Sequence, residues 1–317
     1  MRRASVLTVT LNPAMDKTLI VPGFSHRRVI RVERSFSYPS GKGINVARSL
    51  IRLGLSTLCL GFIAGHIGRW IEEELDREGI PHRFTRVEGE TRVNITLRDP
   101  LSGLEIHLVE RGFEVDEADV ERFMKGFSFH LGGGVSWAAI CGSAPPGVPH
   151  ELYAEMIAES KRRGVKAALD TSGGSLKAGL KGIPDLVKPN REELGELMGR
   201  DLTGMEALLG AVSELHAMGI RWVAVSLGEE GALGSDGREV WLARPPEVEP
   251  VNTVGAGDAM LAGLIFGLES GMGIDEAIAF GVAVGTESVL EDGPCYTDPE
   301  RVGEILKKVK LERVRSC

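Results

Sequence analysis

Cysteine is scarce in this sequence. Its four cysteines, Cys59, Cys141, Cys295 and Cys317, are far apart, and none belongs to a C-x-x-C pair. Zinc sites and the disulfide frameworks of small secreted domains require clustered cysteines, so the spacing predicts neither. We therefore expect reduced thiols and a cytoplasmic protein.

The sequence also lacks long apolar runs and an excess of positive charge. No stretch approaches the ~20 apolar residues of a membrane-spanning helix, and the N-terminal MRRASVLTVTL is predicted to be a first strand rather than a signal peptide. The 37 basic side chains are outnumbered by 45 acidic ones, which disfavours a nucleic-acid-binding surface. We expect neither a membrane nor a nucleic acid among its partners.

Strand and helix patterns alternate along most of the chain. A buried strand at 137–142 precedes a helix at 149–163, and the same order repeats up to three predicted helices at 257–270, 273–290 and 298–310. Repeated strand–helix units predict an α/β fold, with a mainly parallel sheet covered by helices on both faces. The chain shows no linker long enough to divide it, so we expect one domain over 1–317.

One segment has a different pattern. In TRVNITL, apolar and polar residues alternate, and the DPLSG turn leads into a second strand, EIHLVE. This hairpin at about 90–110, together with short strands within 17–37, is predicted to form a small sheet outside the main domain.

The stretch VNTVGAGD leads into a strongly apolar helix with a stripe of small residues at Ala259, Gly263 and Gly267. The first turn of a helix carries free N–H groups and a partial positive charge, and glycine lets an anion approach the backbone. Asp258 is either a simple helix cap or a general base for a hydroxyl that receives a phosphoryl group from this turn.

Two common nucleotide-binding loops are excluded by spacing. In SGKG, the position five residues before the glycine that precedes Lys42 is Phe36 rather than glycine, and Gly43 replaces the Ser or Thr of a Walker A loop. No predicted strand opens onto G-x-G-x-x-G. The sequence thus disfavours a P-loop and a dinucleotide site.

Three further motifs stand where a strand ends, which is where ligands bind in open α/β sheets. PSGKGIN is either a glycine turn with a solvated lysine or a site for an anion. KPNREE is either a capping box of Asn190 and Glu193 or a site where Glu193 organises hydrated Mg²⁺. In CGSAPPG, Ser143 either caps the next element or donates to a substrate oxygen.

The chain resembles the ribokinase-like sugar kinases, specifically their phosphofructokinase-B branch, in motifs that run in the same order over residues 6–290. The motifs are LNPAMD, SGKGINVAR, TRVNI, GSAPPG, DTSG, KPNREE, SLGEEGALG and TVGAGD. Within the branch, TRVNI and RGFEVD are most similar to fructose-1-phosphate kinases. The resemblance implies a three-layer α/β sandwich with a small β-sheet lid, and a homodimer formed through the lid.

The resemblance also implies roles for matching positions. Asp258 matches the catalytic base and Gly255, Ala256 and Gly257 match the anion hole, while Glu193 matches an Mg²⁺ site that acts through water. Substrate positions are Asp16, Gly41, Lys42, Asn45, Arg92, Asn94 and Ser143. Nucleotide positions are Asn190, Ser226, Gly228, Gly231, Thr253 and Gly257. Ser40, Asn252 and Ala259 depart from residues common in the wider family, and Asn252 favours the phosphosugar branch.

These positions predict an ATP- and Mg²⁺-dependent kinase of a ketohexose phosphate, with fructose 1-phosphate as the leading acceptor. Arg92 is expected to bind the phosphate already on the sugar through its guanidinium fork. The alternatives are a tagatose-6-phosphate or fructose-6-phosphate kinase, a kinase of a neutral sugar or nucleoside, and a non-catalytic sugar-phosphate sensor. A sensor has no use for a base such as Asp258.

Overall fold

The computed structural model of the protein describes residues 5–24, 29–291, 293 and 295–316. Residues 25–28, which belong to the predicted segment 17–37, and Cys317 lie outside the described residues. The strands are β1 (Val6–Thr10), β2 (Ala14–Ile20), β3 (Arg34–Ser40), β4 (Thr57–Ala64), β5 (His82–Val87), β6 (Arg92–Asp99), β7 (Leu104–Leu108), β8 (Trp137–Cys141), β9 (Lys166–Asp170), β10 (Leu186–Val187), β11 (Trp222–Ser226), β12 (Ala232–Ser235), β13 (Glu239–Arg244) and β14 (Lys310–Ser316). The helices are α1 (Lys42–Arg52), α2 (Gly65–Glu78), α3 (Glu117–His130), α4 (Leu152–Arg162), α5 (Gly173–Gly179), α6 (Arg191–Met198), α7 (Met205–Ala217), α8 (Ala256–Glu269), α9 (Ile274–Ser288) and α10 (Pro299–Leu306).

The main sheet is parallel through its centre. Within the described residues it has ten strands in the order β14-β13-β12-β11-β10-β9-β8-β1-β4-β5. The neighbours from β5 to β11 pair in parallel, and β12, β13 and β14 add an antiparallel edge. The order reverses beside β1, because the chain moves outward to β4 and then returns to β8. Such a reversal opens a crevice at the carboxyl ends of the strands.

Both faces of this sheet are buried. Leu7 and Val9 of β1 join an apolar cluster with residues of α3, α4 and α7, whereas Val6 joins a cluster with residues of α1, α8 and α9. Successive side chains of a strand point to opposite faces, so one strand supplies both clusters. The structure therefore has a layer of helices on each side of the sheet, as predicted.

Helices α8 and α9 pack closely at the small-residue stripe. A Cβ atom placed on Gly263 would lie only 2.8 Å from the Cα atom of Gly281. Larger side chains at either position would push the two helices apart. Close packing here fixes α8 against the sheet, and the first turn of α8 faces the crevice.

The small sheet has the strand order β3-β2-β6-β7. β2 pairs in parallel with β6, and this register places Asp16 beside Asn94. The strands within the predicted segment 17–37 extend beyond it, since β2 begins at Ala14 and β3 ends at Ser40.

The predicted helix at 298–310 is too long. The helix α10 ends at Leu306, and β14 then adds to the edge of the main sheet by pairing with β13. Charged side chains are usual on an edge strand. Lys310, Glu312 and Arg313 therefore remove the apolar alternation by which a strand is normally predicted from sequence. No helix among the described residues is long and apolar enough to cross a membrane.

Candidate active site

Two adjoining cavities lie at the carboxyl ends of the parallel strands. The larger has a volume of about 870 Å³ and the smaller of about 360 Å³. Lys42, Glu193 and Asp258 line both of them. A group bound in one cavity can therefore meet a group bound in the other beside these three side chains.

The first turn of α8 forms part of this common wall. Gly255 caps the helix with a left-handed backbone (φ 86°), and a Cβ atom on it would lie 2.7 Å from Sγ of Cys295. Both facts require glycine at this position. The amides of Ala256 and Asp258 donate to the carbonyls of Thr253 (3.4 Å) and Gly255 (2.9 Å). These two amides of the first turn are thus already engaged within the turn.

Asp258 is buried at the start of α8 and is held by a helix from elsewhere in the chain. Nδ2 of Asn45 on α1 donates to Oδ2 of Asp258 at 2.9 Å. Burial raises the pKa of Asp258 to about 6, and the charge of Asp170 adds to this rise, while Lys42, Asn45 and Lys188 oppose it. A carboxylate with a pKa near the operating pH is suited to general base catalysis. Asp258 is the third residue of α8 and the N-cap is Gly255, so Asp258 does not occupy the capping position.

Asp170, at the end of β9, joins two lysines beneath the site. Lys42 Nζ donates to Oδ1 of Asp170 at 2.7 Å, and Lys188 Nζ lies 2.9 Å from Oδ2. Burial would raise the pKa of Asp170, but the charges and hydrogen bonds of Lys188 and Lys42 outweigh it and lower the pKa. Burial would lower the pKa of Lys42, but the negative charges of Asp170, Asp258 and Glu193 outweigh it and raise the pKa. Lys42 is therefore held as a cation.

Lys188 also approaches the start of α8. Its Nζ atom lies 3.4 Å from the position that a Cβ atom on Gly257 would take. Its positive charge thus adds to the partial charge of the helix N-terminus. Asp170 and Lys188 are site residues that the sequence analysis did not single out, although DTSG and KPNREE contain them. The available signal was a charged residue at the end of an otherwise apolar strand.

The smaller cavity contains most of the predicted substrate residues. It is lined by Gly41, Lys42, Asn45, Arg92, Asn94 and Ser143, and also by Thr10, Asn12, Thr171 and Ser172, which the sequence analysis did not single out. Asp16 is not among the described residues that line it. Its Oδ1 atom instead accepts from Nδ2 of Asn94 at 2.8 Å, so it acts on the cavity by orienting that amide.

Arg92 enters the smaller cavity from β6, but its fork is partly engaged. Nη2 donates to the carbonyl of Asn12 at 2.8 Å and Nη1 to the carbonyl of Glu110 at 3.2 Å. Nε is buried and has no partner among the described residues. A guanidinium has five N–H donors. Arg92 thus retains donors for an anion while two of them tie together the chain segments around it.

The larger cavity contains the predicted nucleotide residues. Asn190, Ser226, Gly228, Gly231, Thr253 and Gly257 all line it. Away from the charged residues near Asp258, one part of its wall is apolar and is formed by Pro245, Val248, Pro250, Val282 and Val289. Apolar side chains next to a few polar groups are the usual composition of a site for a small organic ligand.

Glu193 serves the capping box and still faces the cavities. Its amide donates to Oδ1 of Asn190 at 2.7 Å, and its Oε2 atom accepts from the amide of Asn190 at 2.8 Å. Its Oε1 atom lies 3.9 Å from Nζ of Lys42. The described residues contain no group of three or more His, Cys, Asp or Glu side chains that could hold a metal ion. One carboxylate fits a Mg²⁺ ion that is bound mainly by water and phosphate.

The chain matches the model of the pfkB family of carbohydrate kinases over residues 9–301. It is 37% identical over 307 residues to a 1-phosphofructokinase of Rhodobacter capsulatus, covering 97% of each chain, and 32% identical over 309 residues to a 1-phosphofructokinase of Bacillus subtilis, covering 98% of this chain and 100% of the relative.

Among solved structures, the chain is similar to Escherichia coli phosphofructokinase-2 in complex with potassium, with a TM-score of 0.90, 30% identity and coverage of 96% of this chain and 99% of the other. These matches confirm the predicted ribokinase-like fold with its mainly parallel central sheet. The chain belongs to the pfkB family of carbohydrate kinases.

Proposed function

We propose that the protein transfers the γ-phosphoryl group of ATP to fructose 1-phosphate and forms fructose 1,6-bisphosphate and ADP. One observation carries the proposal: Asp258 lies where a nucleotide cavity meets a second cavity that contains Arg92 and Lys42. The names of the relatives from Rhodobacter capsulatus and Bacillus subtilis support fructose 1-phosphate as the acceptor.

In the proposed reaction, Asp258 takes the proton from the acceptor hydroxyl. The hydroxyl oxygen then bonds to the γ-phosphorus as the bond to the β-phosphate oxygen breaks, and ADP leaves. Gly255 and Gly257 provide backbone amides at the positive end of α8 for the transferring group. Lys42 and Lys188 add positive charge in a buried environment, where electrostatic stabilisation is stronger than in water.

Recognition of a phosphorylated sugar rests on the smaller cavity. Arg92 and Ser143 are proposed to donate to the phosphate that the sugar already carries, and Asn94, held by Asp16, to contact its hydroxyl groups. The small sheet would act as a lid that excludes water, which could otherwise accept the phosphoryl group.

We further propose that Mg²⁺ enters with the nucleotide and that Glu193 holds it through water, near Asn190. The ion would neutralise charge on the phosphates of ATP.

Fructose 6-phosphate or tagatose 6-phosphate is the second candidate acceptor. Fructose 6-phosphate is favoured by the similarity to Escherichia coli phosphofructokinase-2 in complex with fructose 6-phosphate, with a TM-score of 0.88 and 29% identity. The decisive experiment measures ADP release with fructose 1-phosphate, fructose 6-phosphate, tagatose 6-phosphate and fructose. The highest kcat/KM should belong to fructose 1-phosphate, and a preference for unphosphorylated fructose would contradict the role of Arg92.

We propose that residues 1–317 form one kinase domain and that two copies pair through their lids in the cytoplasm. The strand β7 is one edge of the small sheet and exposes Leu104 and Leu108. An edge strand with exposed apolar side chains favours pairing with another strand. Sedimentation should give a dimer, and Leu108→Lys should shift it toward monomer. An unchanged sedimentation coefficient in the variant would place the interface elsewhere.

A further inference from the structure

Arg48 is a buried cation that no step of the proposed reaction uses. It lies on α1, one turn after Asn45, and only 8% of its surface is exposed. Its Nε atom donates to Oε2 of Glu78 at 2.6 Å, and Nη2 donates to Oε1 of Glu78 at 3.2 Å. Glu78 is the last residue of α2, so this fork-to-fork pair fixes the plane of the guanidinium between two helices.

The rest of the guanidinium is directed at the active site and the small sheet. Nη1 donates to Oδ1 of Asn45 at 2.9 Å, and Nη2 donates to the carbonyl of Pro39 at 2.9 Å. Asn45 is 3% exposed, and its Nδ2 atom donates to Asp258. A continuous chain of hydrogen bonds thus runs from Glu78 through Arg48 and Asn45 to Asp258.

The Arg48 guanidinium and the Asp258 carboxylate together fix which end of the Asn45 amide faces Asp258. Arg48 offers only donors and the Asp258 carboxylate only acceptors, so the amide must present its oxygen to Arg48 and its NH₂ group to Asp258. The reverse orientation would set oxygen against carboxylate and NH₂ against guanidinium. Without Arg48, the Asp258 carboxylate alone would set the orientation of the amide, and the buried Oδ1 atom of Asn45 would lose the donor that holds it in place.

We infer that Arg48 is a positioning residue that aims the NH₂ group of Asn45 at Asp258 and ties this pair to strand β3 of the small sheet through Pro39. The inference rests on the proposed role of Asp258 as the base. Pro39 and Ser40 end β3, and Ser40 lines the smaller cavity. The orientation of Asn45 is therefore linked to the strand that borders the sugar site.

Other charged groups around Asp258 do not depend on Arg48. The charges of Asp170 at the end of β9, Lys42 on α1 and Lys188 after β10 act on Asp258 directly. The charge of Asp258 in turn raises the pKa of the buried thiols of Cys141 and Cys295. The charge of Arg48 itself is balanced by Glu78. A change at Arg48 should thus reach Asp258 through Asn45.

The first test is the pH dependence of kcat for Arg48→Met. We expect kcat to fall by roughly 10- to 100-fold, the scale of a misplaced catalytic contact. The acidic limb of the kcat profile should move upward by about one pH unit, because Asp258 loses a hydrogen bond that favours its charged form. Arg77→Met is the matched control, since Arg77 pairs with Glu73 and Glu74 on the exposed surface of α2. It should leave kcat and the limb unchanged.

A double-mutant cycle shows whether Arg48 acts through Asn45. If it does, the variant that combines Arg48→Met with Asn45→Ala should be no slower than Asn45→Ala alone. Additive losses would overturn the inference. Arg48→Lys keeps a charge beside Glu78 but lacks the fork, so it serves if Arg48→Met does not fold. Arg48→Lys should also move the acidic limb of the kcat profile to higher pH. An acidic limb at the wild-type pH in this variant would contradict the positioning role of Arg48.

Asp258→Asn separates this inference from the proposed function. If Asp258→Asn turns over normally, the base is elsewhere and the proposed function of Asp258 fails. If Asp258→Asn is inactive but Arg48→Met keeps the wild-type limb, only the role of Arg48 fails.

Discussion

The Nζ atom of Lys188 lies 2.9 Å from Oδ2 of Asp170, and both side chains are almost entirely buried. Lys42 occupies the other oxygen of the same carboxylate. One buried anion thus holds two cations next to the first turn of α8. The arrangement keeps positive charge in place for phosphate, and it makes the site depend on a residue that need not touch a substrate.

Replacing Asp170 with Asn should destabilise the protein strongly. The change leaves Lys188 buried without its counter-charge, which costs about 3–5 kcal/mol in comparable pairs. Urea unfolding at pH 7 measures this loss. Glu214→Gln is the control, because the pair of Glu214 with Arg200 is exposed, and such a pair contributes only about 0–1 kcal/mol. Equal losses of unfolding free energy in the two variants would show that the buried pair contributes no more to stability than the exposed one.

The pH dependence of turnover should report the pKa of Asp258. The base works when deprotonated, so kcat of the wild type should fall below about pH 6, the raised pKa of this carboxyl. In Asp170→Asn the limb should move to lower pH, because the charge that raises the pKa of Asp258 is gone. Since the substrates titrate identically with both enzymes, the difference between the two profiles belongs to the protein. A limb that stays in place would mean that Asp170 does not act on the base.

Asp258→Asn should lower kcat by roughly 10²-fold or more and yet stabilise the fold at high pH. Burial raises the pKa of Asp258 from 3.8 to about 6. Ionisation of this buried carboxyl therefore lowers the free energy of unfolding little below pH 3.8, increasingly between pH 3.8 and 6, and by its full value above pH 6. The variant should be more stable by about 3 kcal/mol at pH 8 and by about 1 kcal/mol at pH 4.5. Urea unfolding at the two pH values checks this. A difference in unfolding free energy between variant and wild type that is the same at both pH values would contradict the raised pKa of Asp258.

The sequence located most of the cavity-lining residues because short loops after strands must meet at one edge of a parallel sheet. VNTVGAGD and KPNREE predict helix starts, and α8 and α6 begin there. Asp170 and Lys188 were overlooked because their importance comes from mutual contact between separate strands. No local pattern shows which buried cation a buried carboxylate will meet.

The same limit explains Asp16 and Arg92. The predicted ranges of the small sheet include Arg92 but not Asp16, and the pairing of β2 with β6 decides that Asp16 bonds to Asn94. The carbonyls of Asn12 and Glu110 take two donors of Arg92 that were expected to be free for phosphate. Residue propensities and the alternation of apolar and polar residues predict where a strand lies and which side chains share a face. The hydrogen-bond partners of a long side chain depend on tertiary structure.

Arg92→Ala should chiefly weaken binding of the phosphorylated sugar. We expect KM for fructose 1-phosphate to rise by roughly 10- to 100-fold, since a charge-assisted hydrogen bond contributes about 1.5–3 kcal/mol, while KM for ATP should change little. Arg98→Ala is the matched control on the same strand, because Arg98 pairs with Glu105 at 3.0 Å and does not line the sugar cavity. A similar rise in KM for ATP would mean that Arg92 supports the whole site rather than the sugar phosphate.

Glu193→Gln tests the proposed Mg²⁺ contact without removing the helix cap. Glutamine can replace glutamate in a capping box, so the free energy of unfolding should change by less than about 1 kcal/mol. The variant loses the negative charge that faces the nucleotide cavity, and Mg²⁺ prefers charged oxygen ligands. The Mg²⁺ concentration for half-maximal activity should therefore rise several-fold, whereas Glu192→Gln, next to it on the exposed side of α6, should keep the wild-type value. If Glu193→Gln loses stability but keeps the wild-type Mg²⁺ dependence, Glu193 is a structural cap and the metal is held by other groups.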